Sequence, residues 1–517
     1  MASTTLRSRR SEAQLQALVA VEREIRVQDS QHGRKYLRDF RHAFRTYDSV
    51  IDRQEITSRV EDSDIVLIGD YHALPAAQRF AATLLEERSQ LGERPVVLGV
   101  ETIFSRDQHI LDEWWRREIG EPELRRRIRF DLDWGYDWPS FYELLATARE
   151  HAHGIYGLDC MRREDLRKIS ARDRHAAHKI AEIRQSHPRA VILVLFGESH
   201  LAPGHLPQAL SDILPRERVF TILQNVDPLY WRAAGEPERV EAVQLKHNVV
   251  CVFNSTPLEK YESYRLHLSH WARGHDGEGP DLVPTIYNLI DTLIRFLDIN
   301  RYSSRNGTQP KFLVDLMPEV YSGNSAAHIT QLLARRGMRK AGIQRTLQRI
   351  EERGCAYLPR LNAFYLHNFQ MMYAAEEAAR FLHHACRGLP ELREQRKFKR
   401  SEKFRVRALE NALAYFGSRV LCPAREAVTG DEDNSSLFAL APLTGTSDNF
   451  ESGAEFVGYM LGSHLYDRYL QNRISRSALR RIFLTRLDQQ GNAREIFTQL
   501  ASQRSRKNGD ALRRMLI

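Results

Sequence analysis

Two short segments of the sequence repeat one pattern, in which an apolar run is followed by glycine, a carboxylate, one further residue and histidine. The first pattern occupies residues 69–72 after the apolar run 64–68, and the second occupies residues 197–200 after the run 190–196. Apolar, β-branched runs of roughly four to eight residues that end at glycine are typical of buried parallel strands. Ligands bind at the carboxyl ends of such strands. The repetition therefore predicts a crevice that receives two carboxylates and two imidazoles.

Length and composition limit the class of protein. A chain of 517 residues is long enough for roughly two to four domains. Its net charge of +9 is mild for this length, so it permits an acidic partner without requiring one. The five cysteines occur singly and without a CxxC pair, which argues against a disulfide framework or a zinc ribbon and suits a reducing compartment. The sequence shows neither a signal-peptide pattern nor an apolar run of bilayer length, so we expect a cytoplasmic protein without a membrane span.

The pattern between residues 46 and 272 alternates strand with helix. Such alternation is typical of βαβ units, and it predicts an α/β fold with a mostly parallel sheet and flanking helices. A helical arm over residues 1–45 is expected before this domain, and a glycine- and proline-rich linker over residues 271–284 after it. Residues 285–517 have amphipathic helical spacing and predict a mainly helical domain of unknown type. The strands are predicted at residues 64–69, 95–101, 153–158, 190–197, 217–223 and 248–253.

The second predicted strand also ends in a carboxylate, Glu101, at the level expected for the first histidine. Oxygen and imidazole ligands suit Zn, Mn, Fe or Co. A metal held there would activate water and polarise a carbonyl, which predicts metal-dependent hydrolysis as one function. Glu198 is the candidate general base, because proton transfer needs a carboxylate near the metal and not bound to it. The candidate metal ligands are Asp70, His72, Glu101 and His200.

A haem site is the competing interpretation of the same loops. Tyr71, which lies between Asp70 and His72, is a candidate axial ligand through its phenolate. His72 and His200 are the other candidate cofactor-binding residues. Four tryptophans are most simply core residues, although an aromatic cleft would also suit a porphyrin face. These are Trp114, Trp115, Trp134 and Trp138.

By these residues the chain resembles the ChaN-like family, which is grouped with Tiki-type proteases and erythromycin esterases. The first loop is similar to the family's Gly-Glu-x-His, with Asp70 in place of the usual glutamate. Residues 101–108, the pattern of Trp134, Trp138 and Tyr142, and the second loop resemble later family segments. The resemblance covers roughly residues 46–250. Known ChaN members are secreted lipoproteins that bind haem, so the resemblance implies a ChaN-like fold and haem as the cofactor.

The helical half carries a separate pattern over residues 326–366. A helix, a turn at Gly337, a basic helix and an alternating segment have the outline of a winged helix, in which Arg345 and Arg349 would face phosphates. Basic helix faces are most often only solvated, so nucleic acid is the less favoured partner.

Taken together, the sequence predicts a ChaN-like α/β domain that binds haem, iron or another divalent metal at the carboxyl edge of its sheet. Metal-dependent hydrolysis of a small-molecule substrate is the first alternative. Interaction with a protein or with DNA through the helical half is the second. The sequence alone leaves open the substrate, the oligomeric state and the presence of any catalysis.

Overall fold

A computed structural model describes residues 4–29, 35–91, 93–160, 169–273, 281–299, 317–322, 326–387, 398–428, 447–487, 489 and 491–502. The chain divides into two units. The first unit comprises Met1–Arg7 and Val21–His275, and the second comprises Ser8–Ala20 and Asp276–Ile517. Of the predicted linker over residues 271–284, residues 274–280 lie outside the described residues.

The described residues of the first unit form an eight-stranded sheet. Its strands are β1 (Ser49–Ile51), β2 (Ile65–Asp70), β3 (Val96–Phe104), β4 (Ile155–Asp159), β5 (Val191–Gly197), β6 (Val219–Gln224), β7 (Ala242–Lys246) and β8 (Val249–Val252). They are arranged in the order β1-β7-β8-β6-β2-β5-β3-β4. The six strands from β8 to β4 in this order run parallel, and the other two pairings, β8 with β7 and β7 with β1, are antiparallel.

The central strands are apolar throughout because both faces of the sheet are covered. Every residue of β2, β3 and β5 is buried. Alternate side chains enter two different cores: Val66 and Ile68 pack on one face, and Ile65 and Leu67 on the other. A strand that is buried on both faces needs apolar residues at successive positions, which explains the continuous runs in the sequence.

Helices cover both faces of this sheet. The helices from α1, which is divided between the units, to the end of the first unit are α1 (Thr4–Gln28), α2 (Lys35–Ala43), α3 (Arg53–Asp62), α4 (Pro75–Leu91), α5 (Gln108–Trp115), α6 (Glu121–Arg127), α7 (Phe130–Asp133), α8 (Trp138–His151), α9 (Ile169–Ser186), α10 (Leu206–Ile213), α11 (Asp227–Ala233) and α12 (Pro257–Arg273). Helices α4 and α8 pack in the core on one face of the sheet, and α9 and α10 pack in the core on the other.

The predicted α/β fold class is confirmed, and all six predicted strands are present. The sequence did not predict β1 and β7, the two strands at the antiparallel edge. β1 has three residues and β7 has five with two of them at least partly exposed, so neither contains an apolar run of the kind that marks the central strands.

The described part of the second unit is mainly helical, as predicted, and it also contains a small sheet. Its elements are α13 (Val283–Phe296), β9 (Glu319–Ser322), α14 (Ala326–Arg335), α15 (Lys340–Arg353), β10 (Cys355–Leu358), β11 (Ala363–Leu366), α16 (Met371–Arg387), α17 (Arg400–Leu421), α18 (Ser447–Leu470), α19 (Arg476–Leu484) and α20 (Asn492–Ser502). The order of the small sheet is β10-β11-β9, in which β10 and β11 are antiparallel and β9 is parallel to β11. No helix in the described ranges combines the length and apolar character that crossing a membrane requires.

Substitution of Gly157 by alanine should destabilise the first unit. A Cβ at Gly157 would lie 2.7 Å from the carbonyl oxygen of Ile103 and 2.9 Å from that of Phe104, so the paired backbones of β3 and β4 would have to separate. Overpacking of this kind costs about 1–3 kcal/mol. Chemical denaturation measures the change in the free energy of unfolding. Gly204→Ala is the matched control, because a Cβ there meets nothing within 4 Å. Equal stability of the two variants would contradict the expected close approach.

Candidate functional site

The two motif loops meet at one edge of the parallel sheet. Strands β2 and β5 are direct neighbours, and Asp70 is paired with Gly197 in their register. Both loops therefore open into the same cavity, which has a volume of about 510 Å³. Its walls come from β2, β3, β5 and the loops after β2 and β5. The segment that joins β6 to α11, the start of α11, α7, the segment before α8, and α1, α2, α9 and α12 complete them. This is the edge where parallel α/β sheets bind ligands.

The first loop holds His72 between two carboxylates. The Nδ1 atom of His72 lies 2.7 Å from Oδ2 of Asp70, whose other oxygen accepts a hydrogen bond from Gln78. The Nε2 atom of His72 lies 3.5 Å from Oε2 of Glu101. Asp70 therefore fixes the orientation of the imidazole ring and directs Nε2 toward the cavity wall formed by Glu101.

The second loop holds His200 in a similar way. The Nδ1 atom of His200 lies 2.5 Å from Oδ1 of Asp173, and Nε2 lies 3.8 Å from Oε1 of Glu101. The second oxygen of Asp173 contacts Nδ1 of His205 at 2.9 Å. Burial acts to raise the pKa of Asp173, but the hydrogen bonds from His200 and His205 outweigh it and lower this pKa. Each motif histidine is thus held by an aspartate at Nδ1 and directs Nε2 toward the same glutamate.

Gly197 leaves the space in which these groups converge. A Cβ at this position would lie 2.9 Å from Oε2 of Glu101, 3.4 Å from Nε2 of His72 and 3.5 Å from Cδ2 of His200. The backbone N–H of Gly197 also donates a hydrogen bond to Glu101. The glycine of the second motif is therefore needed for close approach to the three side chains, in addition to ending the strand.

Arg172 neutralises the carboxylates behind the histidines. Its guanidinium donates to Oε1 of Glu101 at 2.5 Å and to both oxygens of Asp159 at 3.0 and 2.7 Å, and all three side chains are buried. Burial alone would raise the pKa of Glu101, but Arg172, His72 and His200 lower it to about 2. For Asp159 burial prevails and raises the pKa. Glu101 is therefore a buried anion that the site keeps ionised.

The predicted metal ligands come together at this cavity. Within the described ranges, no group of three or more His, Cys, Asp or Glu side chains is arranged to hold a metal ion. The hydrogen-bond pattern explains this arrangement. Glu101 is committed to Arg172 and to Gly197, and Asp70 is committed to Gln78 and His72. In the structure these side chains therefore stand in hydrogen-bonded pairs, and coordination of a divalent cation by Asp70, His72, Glu101 and His200 stays a prediction.

A second wall of the cavity contains Tyr71 and Glu198, the other two candidate residues from the motifs. Lys260 on α12 contacts both: its Nζ donates to the Glu198 oxygens at 3.0 and 2.9 Å and lies 4.6 Å from the centre of the Tyr71 ring. Burial raises the pKa of Glu198 although Lys260 opposes it. Burial also raises the pKa of Tyr71, to well above its usual value, and nearby groups that include Tyr261 and Glu198 add to the effect. Among the described residues, the Tyr71 hydroxyl has no hydrogen-bond partner.

Aromatic rings form the remaining wall. The rings of Trp134 and Tyr136 each lie 5.3 Å from the ring of His72. Tyr136 stacks on His267 at 4.2 Å, and His267 lies 4.6 Å from Trp271. Trp134 is buried, as predicted for a core residue, and it also lines the cavity. The cavity therefore has one end rich in carboxylate and imidazole groups and one broad aromatic side.

Sequence reasoning missed several groups that complete this site. Arg172 and Asp173 lie on α9, and Lys260 lies on α12, where charged residues carry no visible motif. Asp159 lies near the end of the third predicted strand, and this position at the carboxyl edge of the sheet is the signal that the sequence offers for it. Its contact with Arg172 assigns it to the site.

Comparison with known proteins identifies one family and one solved structure. A family model described as haem-binding uptake, Tiki superfamily, ChaN matches residues 56–173. The predicted resemblance to ChaN is therefore confirmed for this range, which contains Asp70, His72 and Glu101, whereas His200 lies after it. A solved structure described as cofacial heme binding to ChaN of Campylobacter jejuni matches at 15% identity and a TM-score of 0.27, over 39% of this chain and 91% of that chain. No curated protein matches the sequence.

Substitution of Glu101 by glutamine should alter the pH dependence of stability. The folded protein lowers the pKa of Glu101 from 4.5 to about 2, so the ionised form stabilises the fold above pH 4.5. This stability, on the order of a few kcal/mol, is lost as the pH falls from 4.5 towards 2. Denaturation at several pH values measures the free energy of unfolding. The wild type and Glu101→Gln should differ most in this free energy near neutral pH, and the difference should shrink as the solution becomes acidic.

The matched control is Glu150→Gln, because Glu150 is exposed on α8. The difference in unfolding free energy between Glu150→Gln and the wild type should not vary with pH. If the change in unfolding free energy caused by Glu101→Gln is also independent of pH, Arg172 and the two histidines do not compensate the charge of Glu101.

Proposed function

We propose that the first unit, which is similar to ChaN over residues 56–173, binds haem in the cavity at the edge of its sheet and that Tyr71 is the iron ligand. The observation that carries the proposal is the hydroxyl of Tyr71. Tyr71 lines the cavity, and its hydroxyl has no hydrogen-bond partner among the described residues, although nearby polar groups such as Glu198 and Lys260 are paired. Tyrosine is an established axial ligand of haem iron.

The size and walls of the cavity support the same ligand. Its volume of about 510 Å³ lies within the range of about 300–1,000 Å³ for small-molecule sites. Such sites are mostly apolar and aromatic, with a few polar groups that orient the ligand. The rings of Trp134, Tyr136, Tyr264 and Trp271 are the aromatic part of this lining. Their faces offer apolar contact area to a flat macrocycle.

The protonation of Tyr71 decides how the ligand would bind. Burial, together with groups that include Tyr261 and Glu198, raises the pKa of Tyr71 well above its usual value, so the hydroxyl is neutral in the absence of a cation. Tyr71 would hold ferric haem through its phenolate, and its hydroxyl would have to lose its proton to do so. Two other residues of this wall orient Tyr71. Lys260 lies over its ring, and the ring of Tyr264 packs edge-to-face with it, with the ring centroids 6.1 Å apart.

Substitution of Tyr71 by phenylalanine should weaken haem binding by about tenfold or more, because it removes the iron ligand and keeps the ring. The measurement is titration of the purified full chain with ferric haem, followed by the Soret band. Tyr264→Phe is the matched control: Tyr264 lines the same cavity, but its hydroxyl donates to Asp29 at 2.8 Å. This variant should keep the wild-type spectrum.

Two results would contradict this assignment. If the wild type gives no saturable Soret shift, the haem proposal fails. If Tyr71→Phe binds haem with unchanged affinity and spectrum, haem binds without Tyr71 as its ligand.

A second candidate function is hydrolysis by general acid–base chemistry, and it is favoured by the two aspartate–histidine pairs. Asp70 holds Nδ1 of His72, and Asp173 holds Nδ1 of His200. In each pair Nε2, which lies beside Glu101, is the nitrogen that would exchange a proton with a molecule in the cavity, and a base oriented by a carboxylate has this arrangement. Glu198 is less suited to this role because it is paired with Lys260.

If the first unit hydrolyses esters, His72→Gln should abolish the activity, because glutamine cannot accept a proton from water. Release of nitrophenol from p-nitrophenyl acetate is a direct assay. His153→Gln, which changes an exposed histidine, should retain wild-type turnover. Residual activity of His72→Gln equal to that of the control would remove His72 as the base.

A further inference from the structure

We infer that α14 and α15 of the second unit form a helix-turn-helix that binds double-stranded DNA, with α15 in the major groove. This function is separate from the haem cavity, which belongs to the first unit. The sequence suggested only the outline of such a motif. The fold, the exposure and the charge of these two helices each support it.

The local fold has the parts of a winged helix. Helix α14 ends at Arg335, and α15 begins at Lys340 after a short turn. Gly337 in this turn has a φ of +73°, a conformation that glycine adopts without strain. A turn of about 3–4 residues that contains glycine is typical of helix-turn-helix proteins. The antiparallel pair β10–β11 follows α15 directly, and β9 completes its sheet.

A small apolar core fixes which side of α15 faces inward. Ile343 and Ile350 of α15 pack with Ile329 and Leu333 of α14, and the cluster also contains Leu358 of β10. These residues are all buried. The opposite side of α15 is therefore directed to solvent.

The exposed side of α15 presents residue types that read DNA. Lys340, Gln344 and Gln348 are exposed and are spaced four residues apart, so they share one face of the helix. Lysine contacts guanine and glutamine contacts adenine in the major groove. An α-helix is about 10–12 Å wide with its side chains, and the major groove is about 12 Å wide. The face is thus suited to base contacts in DNA of the B form.

Basic residues surround this face at the amino-terminal end of α15, the end that would enter the major groove. Exposed basic residues lie at the end of α14, in the turn and in the first half of α15: Arg335, Arg336, Arg339, Lys340 and Arg345. No Asp or Glu occurs in the sequence from residue 326 to residue 350, and the first acidic residues, Glu351 and Glu352, follow at the carboxyl end of α15. Recognition helices contact bases through their amino-terminal residues while neighbouring cations bind phosphates.

Arg349 does not belong to this surface. Its Nε is buried without a hydrogen-bond partner among the described residues, and its guanidinium interacts with Glu377 and Glu376 on α16. Of the two arginines that the sequence suggested for phosphate contact, only Arg345 is therefore on the exposed face.

The test is fluorescence anisotropy of labelled duplex DNA with the purified full chain over a range of salt concentrations. The wild type should bind at low salt, with an affinity that falls linearly on a log–log plot against salt. The triple variant Arg339→Ala, Lys340→Ala, Arg345→Ala should bind about tenfold or more weakly, and its salt slope should fall by about one for each phosphate contact removed.

The matched control removes the same charge from exposed arginines elsewhere in the second unit, at Arg473, Arg481 and Arg494. This Arg-to-Ala triple variant should keep nearly the wild-type affinity, and circular dichroism checks that both triple variants are folded. Absence of duplex binding by the wild type at low salt would overturn the proposal. An equal loss in the control would also overturn it, since binding would then depend on net charge alone. Equally tight binding of double-stranded RNA would exclude recognition by α15, because the major groove of A-form RNA is too narrow for a helix.

Discussion

The buried negative charge of Glu101 is the constraint on which the site of the first unit depends. Glu101 is 2% exposed, and a carboxylate at that depth is costly unless it is paired and hydrogen-bonded. Compensation comes from separate segments: Arg172 from α9, the N–H of Gly197 at the end of β5, and the imidazoles of His72 and His200. Stabilising this one anion therefore draws the ends of the strands and one flanking helix together, and it determines where both histidines lie.

The part of the fold that was predicted from the sequence is the part with the strongest periodic signal. The strands β2, β3 and β5 are buried on both faces, so their sequences are continuous apolar runs, and glycine and a polar residue mark where two of them end. Since β2 and β5 are parallel neighbours in register, Asp70 and Gly197 lie side by side. The meeting of the two motif loops thus follows from the adjacency of the strands. The edge strands lack such runs, and their positions depend on contacts that only the folded chain reveals.

The residues that were missed share a different physical reason. Asp173 lies 27 positions from His200, and Lys260 lies 62 positions from Glu198, yet each makes a direct contact there. Charged residues on helices are mostly exposed, so the sequence does not indicate that these particular residues are buried. They become recognisable only when a buried partner of opposite charge is known. The same applies to Arg172, whose two carboxylate partners belong to different strands.

In the second unit, buried charges have a comparable effect on the orientation of α15. Glu376 on α16 is fully buried, and burial would raise its pKa, but Arg425, Arg353 and Arg380 lower it to about 2. Arg353, the last residue of α15, lies 3.4 Å from this carboxylate. Because one side of α15 is held there by ion pairing and along its length by Ile343 and Ile350, the helix cannot rotate without leaving buried charge unpaired. The polar face is thereby kept outward by the same interactions that hold the unit together.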